Sequence, residues 1–300
     1  MAVYKKTYRP YDGKLTPSWS RFLVIPRYSL EDLRRSKFLT ISFFASFLPP
    51  LIFAIGIYVQ HNASVFNLVG AQGANRLITI DVSYFMRILG WQSMLALFLA
   101  AFIGPGQVSP DLSNNGLALY LARPFSRVEY VLGKMSVLVY LLSLITWVPG
   151  LLLFAYQGYM EGWDWTTTNM RFATSLFLGA WIWIVILSLL SLALSAWVKW
   201  KPAAGGLIFG LFFVAQGFGA IINAVQRTNW GHLFNVRFLV GSIWLWLFEG
   251  STNNTGGAVF FGVPQGEEIP LVWSCLGLAL LCGLCLYMLA RKIRGIEVVR

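Results

Sequence analysis

Residues 172–198 read FATSLFLGAWIWIVILSLLSLALSAWV, an unbroken stretch without Asp, Glu, Lys or Arg. A helix of about 20 apolar residues crosses the hydrocarbon core of a bilayer, which is about 30 Å thick. One charged side chain at the centre of such a helix costs about 2.5 to 3.5 kcal/mol on insertion scales. Because this stretch is long enough and carries no charge, it predicts a transmembrane helix that inserts without a partner helix.

Five further charge-free stretches of similar length flank this one, at residues 38–60, 88–110, 135–160, 202–226 and 269–290. Within the six stretches we place membrane spans at about 38–60, 88–108, 135–157, 172–198, 203–226 and 269–290. A seventh apolar run, residues 238–248, is too short to span as a helix and is interpreted as a re-entrant or interfacial segment. The sequence therefore predicts an all-α membrane protein with six transmembrane helices.

The composition excludes a water-soluble globular protein. Hydrophobic residues make up 57% of the chain and charged residues 12%, which is about half of the charged fraction of ordinary soluble domains. In a soluble protein the net charge of +11 would indicate nucleic-acid binding. In a chain that needs lipid to cover most of its surface, we interpret the charge as a topology signal and expect no nucleic-acid partner.

The positive charges predict which side the termini occupy, because cytoplasmic loops are enriched in Lys and Arg. With six spans, one side receives nine Lys and Arg from residues 1–37, three from 123–134, two from 199–201 and four from 291–300. The other side receives Arg76, Arg87, Arg171, Arg227 and Arg237. Both termini are therefore expected in the cytoplasm, and residues 1–37 contain no apolar core of a cleaved signal peptide.

The membrane domain comprises residues 38–290, and the two segments outside it, residues 1–37 and 291–300, are both basic. Residues 19–38 mix apolar side chains with Arg27, Arg34, Arg35 and Lys37, and Pro26 is well placed to open a helix. This pattern predicts an amphipathic helix along the inner leaflet, with a solvated basic tail as the alternative. Residues 291–300 form a cytoplasmic basic tail.

The sequence lacks the residue patterns that this chain would need to catalyse a reaction or to drive transport by itself. No Asp, Glu, Lys, Arg or His interrupts the predicted spans, which argues against a proton-driven transporter and an intramembrane hydrolase. There is no G-x-x-x-x-G-K-[ST] phosphate loop. His61 and His232 have no ligand-spaced partners, and the three cysteines lie together in residues 275–285. We expect no catalytic residue, metal or cofactor in this chain, so energy for any transport must come from another polypeptide.

The loop between spans two and three, residues 108–134, reads VSPDLSNNGLALYLARPFSRVEYVLGK. Asp111 can start a helix, Leu117, Tyr120 and Leu121 recur at helical spacing, and Pro124 ends the helix after Arg123. The pattern predicts a short amphipathic cytoplasmic helix over residues 111–122 that fits a groove on a partner protein. The alternative is an ordinary interfacial loop.

This loop also carries a family resemblance. The run Pro110-Asp111, Gly116-Leu117, Leu119-Tyr120-Leu121, Arg123-Pro124, Ser126-Arg127, Tyr130 and Gly133-Lys134 resembles the coupling-helix signature of ATP-binding-cassette permeases of the ABC-2 exporter type. Residues 291–300 are similar to the short basic tail of that family, and the six-span topology matches its half-transporter. Pro26 departs from the family's amphipathic elbow helix, which usually continues through that position.

The resemblance implies a permease subunit of an ABC exporter in a bacterial or archaeal inner membrane, as a homodimer or heterodimer. ATP and magnesium would bind to separate nucleotide-binding subunits, and residues 227–268 would form an extracytoplasmic re-entrant region that gates the path or docks an external partner. The implied ATPase-coupling residues are Asp111, Leu112, Asn115, Gly116, Leu117, Tyr120, Leu121, Arg123, Pro124 and Arg127. Two other functions stay open: a permease that transmits mechanical work without transport, and an ATP-independent membrane scaffold.

Span five carries a separate packing signal. Gly206 and Gly210 form a G-x-x-x-G pair, Gly217 returns to nearly the same helix face, and Gly219 is close by. Small residues let helix backbones approach closely in membranes. The pattern predicts a close helix contact, either across a dimer or within one subunit.

Overall fold

The computed structural model of the chain describes residues 23–62, 79–114, 116, 126–198, 200–249 and 269–293, and these contain helices and no strands. Six helical segments have the length and composition of membrane spans: Lys37–His61, Val82–Ser113, Arg127–Glu161, Met170–Trp197, Lys201–Gln226 and Leu271–Lys292. The predicted all-helical class and the six apolar spans are confirmed, and they indicate an integral membrane protein.

The first half of the chain contains a short helix and three spans, each interrupted once. Helix α1 comprises Val24–Arg34. Span 1 consists of α2 (Lys37–Ala45) and α3 (Leu48–His61). Span 2 consists of α4 (Val82–Ile103) and α5 (Pro105–Ser113). Span 3 consists of α6 (Arg127–Ile145) and α7 (Trp147–Glu161). Each interruption is followed within three residues by a proline, namely Pro49, Pro105 or Pro149. A proline lacks the N–H that a continuous helix would use.

The second half contains three uninterrupted spans and a short apolar helix between the last two. Helix α8 (Trp163–Thr168) precedes α9 (Met170–Trp197), which is span 4, and α10 (Lys201–Gln226), which is span 5. A 3₁₀ helix (Trp230–Phe234) and α11 (Val236–Glu249) follow, and α12 (Leu271–Lys292) is span 6.

Helix α9 is the centre of the bundle. It packs against α4 to α8 and against α10 to α12. In its most apolar stretch of 18 residues, 72% of the residues are buried, and the same fraction is buried in span 2. The corresponding values for spans 1, 5 and 6 are 11%, 17% and 17%. Spans 1, 5 and 6 therefore leave most of their surface open to lipid or to another chain.

Two helices begin before the predicted spans that they contain, because local caps, and not the nearest charges, set the helix starts. Helix α4 begins at Val82, before Arg87, where the Asp81 carboxylate accepts a hydrogen bond from the N–H of Tyr84 at 3.0 Å. Helix α6 begins at Arg127 with a capping box between Ser126 and Glu129. Side-chain acceptors at these positions satisfy N–H groups that have no partner within the helix.

The apolar run at residues 238–248 belongs to α11, a 14-residue helix of about 21 Å, which is shorter than a bilayer core. Helix α11 packs against α9 and α12. Arg171 donates hydrogen bonds to the carbonyl oxygens of Trp246 and Leu247, and the Ser175 hydroxyl donates to that of Leu247 at 2.8 Å. A cation at the C-terminal end of a helix interacts favourably with its dipole, so span 4 holds the end of α11 in place.

Candidate functional site

The strongest constellation of polar side chains lies where spans 2, 3 and 4 meet beneath the loop that carries the family resemblance. Gly104 separates α4 from α5 and lies against α9. A Cβ atom at Gly104 would lie 2.4 Å from the Cβ of Ser191. The missing side chain therefore allows span 2 to approach span 4 at this end of the bundle.

Ser195 of α9 fixes the first turn of α5 with a single hydroxyl. Its Oγ accepts hydrogen bonds from the N–H groups of Val108, at 3.2 Å, and Ser109, at 3.0 Å. It also donates to the carbonyl oxygen of Pro105 at 3.0 Å. Because Ser195 is buried, water does not compete for these bonds, and α5 is tied to span 4.

An ion pair ties the other end of α5 to span 3. The Asp111 carboxylate oxygen Oδ2 lies 3.0 Å from Lys134 Nζ and accepts a hydrogen bond from the Tyr130 hydroxyl at 2.7 Å. Tyr130 is fully buried, and Lys134 is 6% exposed. We call Asp111, Tyr130, Lys134 and Ser195 the hairpin base, because they join both ends of the hairpin between spans 2 and 3 to the bundle.

The structure corrects the predicted position of Asp111. This residue does not start a helix but lies in the last turn of α5, Pro105–Ser113. The prediction treated its carboxylate as a helix cap, whereas Lys134 and Tyr130 of the next span bind it. The predicted helix over residues 111–122 therefore cannot begin at Asp111.

The other predicted coupling residues divide into two groups. The first group is described by the structure. Leu112 packs against the core, and Gly116 lies beside the backbone of Asp111. Arg127 is exposed at the first position of α6. Outside the described residues lie Asn115, Leu117, Tyr120, Leu121, Arg123 and Pro124. Within the described ranges, no three His, Cys, Asp or Glu side chains group closely enough to hold a metal ion.

The predicted packing glycines of span 5 have two different environments. A Cβ added at Gly206, Gly210 or Gly217 would have no described atom within 4 Å. A Cβ at Gly219 would meet the carbonyl oxygen of Gly231 in the 3₁₀ helix. Gly219 therefore makes a close contact within the subunit, while the first three glycines leave a face of α10 without such a contact.

Sequence reasoning missed Ser195, Gly104 and the pairing of Lys134 with Asp111. One local signal was present, because Ser188, Ser191 and Ser195 recur at intervals of three and four residues in span 4. Such spacing places three hydroxyls on one helix face. Only the position of α5 distinguishes the serine that forms hydrogen bonds to it.

Replacing Ser195 with Ala is expected to lower the free energy of unfolding by about 1 to 3 kcal/mol, because buried backbone groups of α5 lose their partner. Thermal unfolding of the purified protein in detergent measures the effect. Ser188→Ala is the matched control, since the Ser188 hydroxyl is buried in the same helix without a hydrogen-bond partner among the described residues. The control is expected to change stability by less than about 0.5 kcal/mol, and equal losses in both variants would contradict the role given to Ser195.

The chain matches no protein-family model and no curated protein sequence.

Proposed function

We propose that this chain is the membrane-spanning permease subunit of an ATP-binding-cassette transporter of the ABC-2 exporter type. ATP and magnesium bind to a separate nucleotide-binding subunit, which docks on the loop between spans 2 and 3. The observation that carries the proposal is the hairpin base, which connects this loop to three spans through buried polar contacts.

The hairpin base suits the transmission of force. A displacement of the loop acts on α5, and Ser195 passes that displacement to span 4 through hydrogen bonds of 3.0 to 3.2 Å. The Asp111 to Lys134 ion pair passes it to span 3. Packed helices move as rigid bodies during such transitions, whereas a loop without these ties would absorb the displacement.

The proposed topology places the hairpin base and both termini in the cytoplasm, as the distribution of Lys and Arg predicts. Helix α1 is then the amphipathic elbow at the inner leaflet: Ile25 is buried, while Arg27 and Arg34 are exposed. Pro26 lies in its first turn, where a proline is tolerated. Helix α11 belongs to the proposed re-entrant region on the outer side, together with residues 250–268, which lie outside the described residues.

The proposed dimer uses the face of α10 that carries Gly206, Gly210 and Gly217. These glycines have no close contact within the described part of the subunit, and span 5 is among the least buried spans. Small residues at intervals of four favour close helix pairing in membranes. A second permease copy, identical or homologous, is therefore the partner proposed for this face.

Docking of the ATPase is tested at Arg127, an exposed cation at the start of α6. Arg127→Glu is expected to reduce co-purification of the nucleotide-binding subunit by at least about tenfold, because a reversed charge at an interface costs several kcal/mol when it faces acidic groups. The tagged chain is purified from its native membrane, and co-eluting proteins are identified by mass spectrometry.

Arg291→Glu is the matched control for this charge reversal, since Arg291 is exposed near the same end of the bundle but lies on α12. The control is expected to retain the ATPase. Co-elution of the ATPase with both variants in wild-type amounts would contradict docking at the loop. If no ATPase co-elutes with the wild-type chain and its cellular function does not depend on ATP, the scaffold function replaces the proposal.

Reconstitution separates transport from mechanical transmission. Proteoliposomes that contain the complex are expected to accumulate its substrate only when ATP is supplied on the side of the hairpin base. ATP hydrolysis without movement of substrate would instead favour a permease that acts on an external partner.

A further inference from the structure

A cavity of about 520 Å³ lies between α1 and the ends of spans 2, 3 and 5 that surround the hairpin base. Its volume falls within the range of about 300 to 1,000 Å³ that is typical of small-molecule sites. Neither the contacts of the hairpin base nor the proposed ATPase docking uses this space.

One part of the cavity is apolar. Ile25 and Leu33 line it from α1, and Phe102 and Ile103 line it from span 2. A second cavity, of about 290 Å³, shares Leu33, Leu39 and Ile103 with the first, and its remaining lining is largely apolar. The two cavities are therefore neighbours around Leu33.

The other part of the cavity is polar and carries positive charge. Lys134, Lys201 and Asp111 line it. Lys134 is paired with Asp111, and Lys201 has no acidic partner within 4.0 Å among the described residues. Two ammonium groups and one carboxylate leave one positive charge uncompensated at this end.

We propose that this cavity binds an anionic phospholipid, such as phosphatidylglycerol. The phosphate contacts Lys201 beside Lys134, and an acyl chain lies along Ile25, Leu33 and Ile103. Lys201 is the first residue of α10, so the phosphate also lies at the positive end of that helix. A free phosphate ion would leave the apolar part of the cavity unfilled. The site requires a membrane protein but no ATPase partner, so it stands if the proposed function fails.

Thermal unfolding of the delipidated protein in detergent tests the site, with phosphatidylglycerol, phosphatidylcholine or inorganic phosphate added in parallel. Phosphatidylglycerol at 100 times its dissociation constant is expected to raise the midpoint by at least about 5 °C. Phosphatidylcholine and inorganic phosphate are expected to raise it by less than half as much. Native mass spectrometry of the same samples is expected to show one tightly held phosphatidylglycerol per chain.

Two variants localise the binding. Gly106 lines the cavity, and a Cβ at this position meets no described atom within 4 Å, so Gly106→Leu is chosen to reduce the volume of the cavity. Lys201→Gln removes the charge and leaves the volume. Both are expected to lose most of the shift caused by phosphatidylglycerol, while Gly283→Leu in α12, where a Cβ also meets open space, is expected to keep it.

Four results would overturn the proposal. An equal shift with phosphatidylcholine would indicate a general lipid surface, and an equal shift with inorganic phosphate would indicate a free-anion site. Absence of any shift in the wild-type protein, or an unchanged shift in both cavity variants, would show that the cavity does not take up lipid.

Discussion

Replacing Asp111 with Asn is expected to lower the free energy of unfolding by about 3 kcal/mol. Removal of one partner from a buried ion pair typically costs about 3 to 5 kcal/mol, because the remaining charge stays buried without compensation. The Lys134 side chain is 8% exposed and that of Asp111 is 19% exposed. The lower end of the range applies because water reaches part of the carboxylate.

The measurement is thermal or denaturant unfolding of the purified protein in one detergent, analysed as a double-mutant cycle. Lys134→Met removes the charge and keeps an unbranched apolar chain. The double variant Asp111→Asn with Lys134→Met is expected to be more stable than Asp111→Asn alone, because no uncompensated ammonium remains. A double variant that loses the sum of both single effects would contradict the pairing.

The exposed pair of Glu31, on α1, and Arg35, just after its end, is the matched control. Its atoms lie 3.6 Å apart, and its side chains are 62% and 75% exposed. Glu31→Gln is expected to change stability by less than about 1 kcal/mol, as exposed pairs of this kind usually do. A loss as large as that of Asp111→Asn would show that the effect comes from net charge and not from the hairpin base.

The sequence predicted the spans well because membrane insertion depends on local composition. A charge-free stretch such as residues 172–198 must be helical in lipid, since every backbone group needs a partner within its own segment. Two helix starts could not be read from the apolar stretches, because Asp81 and Ser126 cap their helices from outside those stretches. These caps are also local, and an N-cap search would have found them.

The hairpin base could not be predicted in the same way, because its contacts join distant parts of the chain. Asp111 is separated from Lys134 by most of the loop, and Ser195 lies in another span. A carboxylate before a helical pattern fits both a cap and an ion pair. Only the packing of α5 against α6 and α9 distinguishes these two roles.

Adjacent glycines in span 5 show the same limit. Gly205 and Gly206 are neighbours in one apolar helix, so their sequence contexts are nearly identical. A Cβ at Gly205 would lie 2.6 Å from the backbone carbonyl oxygen of Ala101 in span 2, while one at Gly206 would meet no described atom within 4 Å. The sequence pattern selected Gly206 and passed over Gly205, because the G-x-x-x-G spacing does not indicate which helix face a partner covers.

Gly205→Ala is expected to lower the free energy of unfolding by about 3 kcal/mol, the upper part of the range for overpacking, because the obstructing atom belongs to the backbone of another helix. Gly206→Ala is expected to leave stability unchanged or to raise it by up to about 1 kcal/mol, since Ala is the better helix former. Unfolding of both variants under identical conditions measures the difference. Equal effects would contradict the close approach of spans 2 and 5.

The same pair of positions separates folding from assembly when the larger Gly206→Leu variant is added. Its side chain projects into the face proposed for a second permease copy, so it is expected to lose most of the dimer and to stay folded as a monomer. Light scattering coupled to size-exclusion chromatography gives the mass of the protein in the detergent complex. A Gly206→Leu variant that stays dimeric would move the interface away from this face, whereas a monomeric and unstable one would show that Gly206 packs within the subunit.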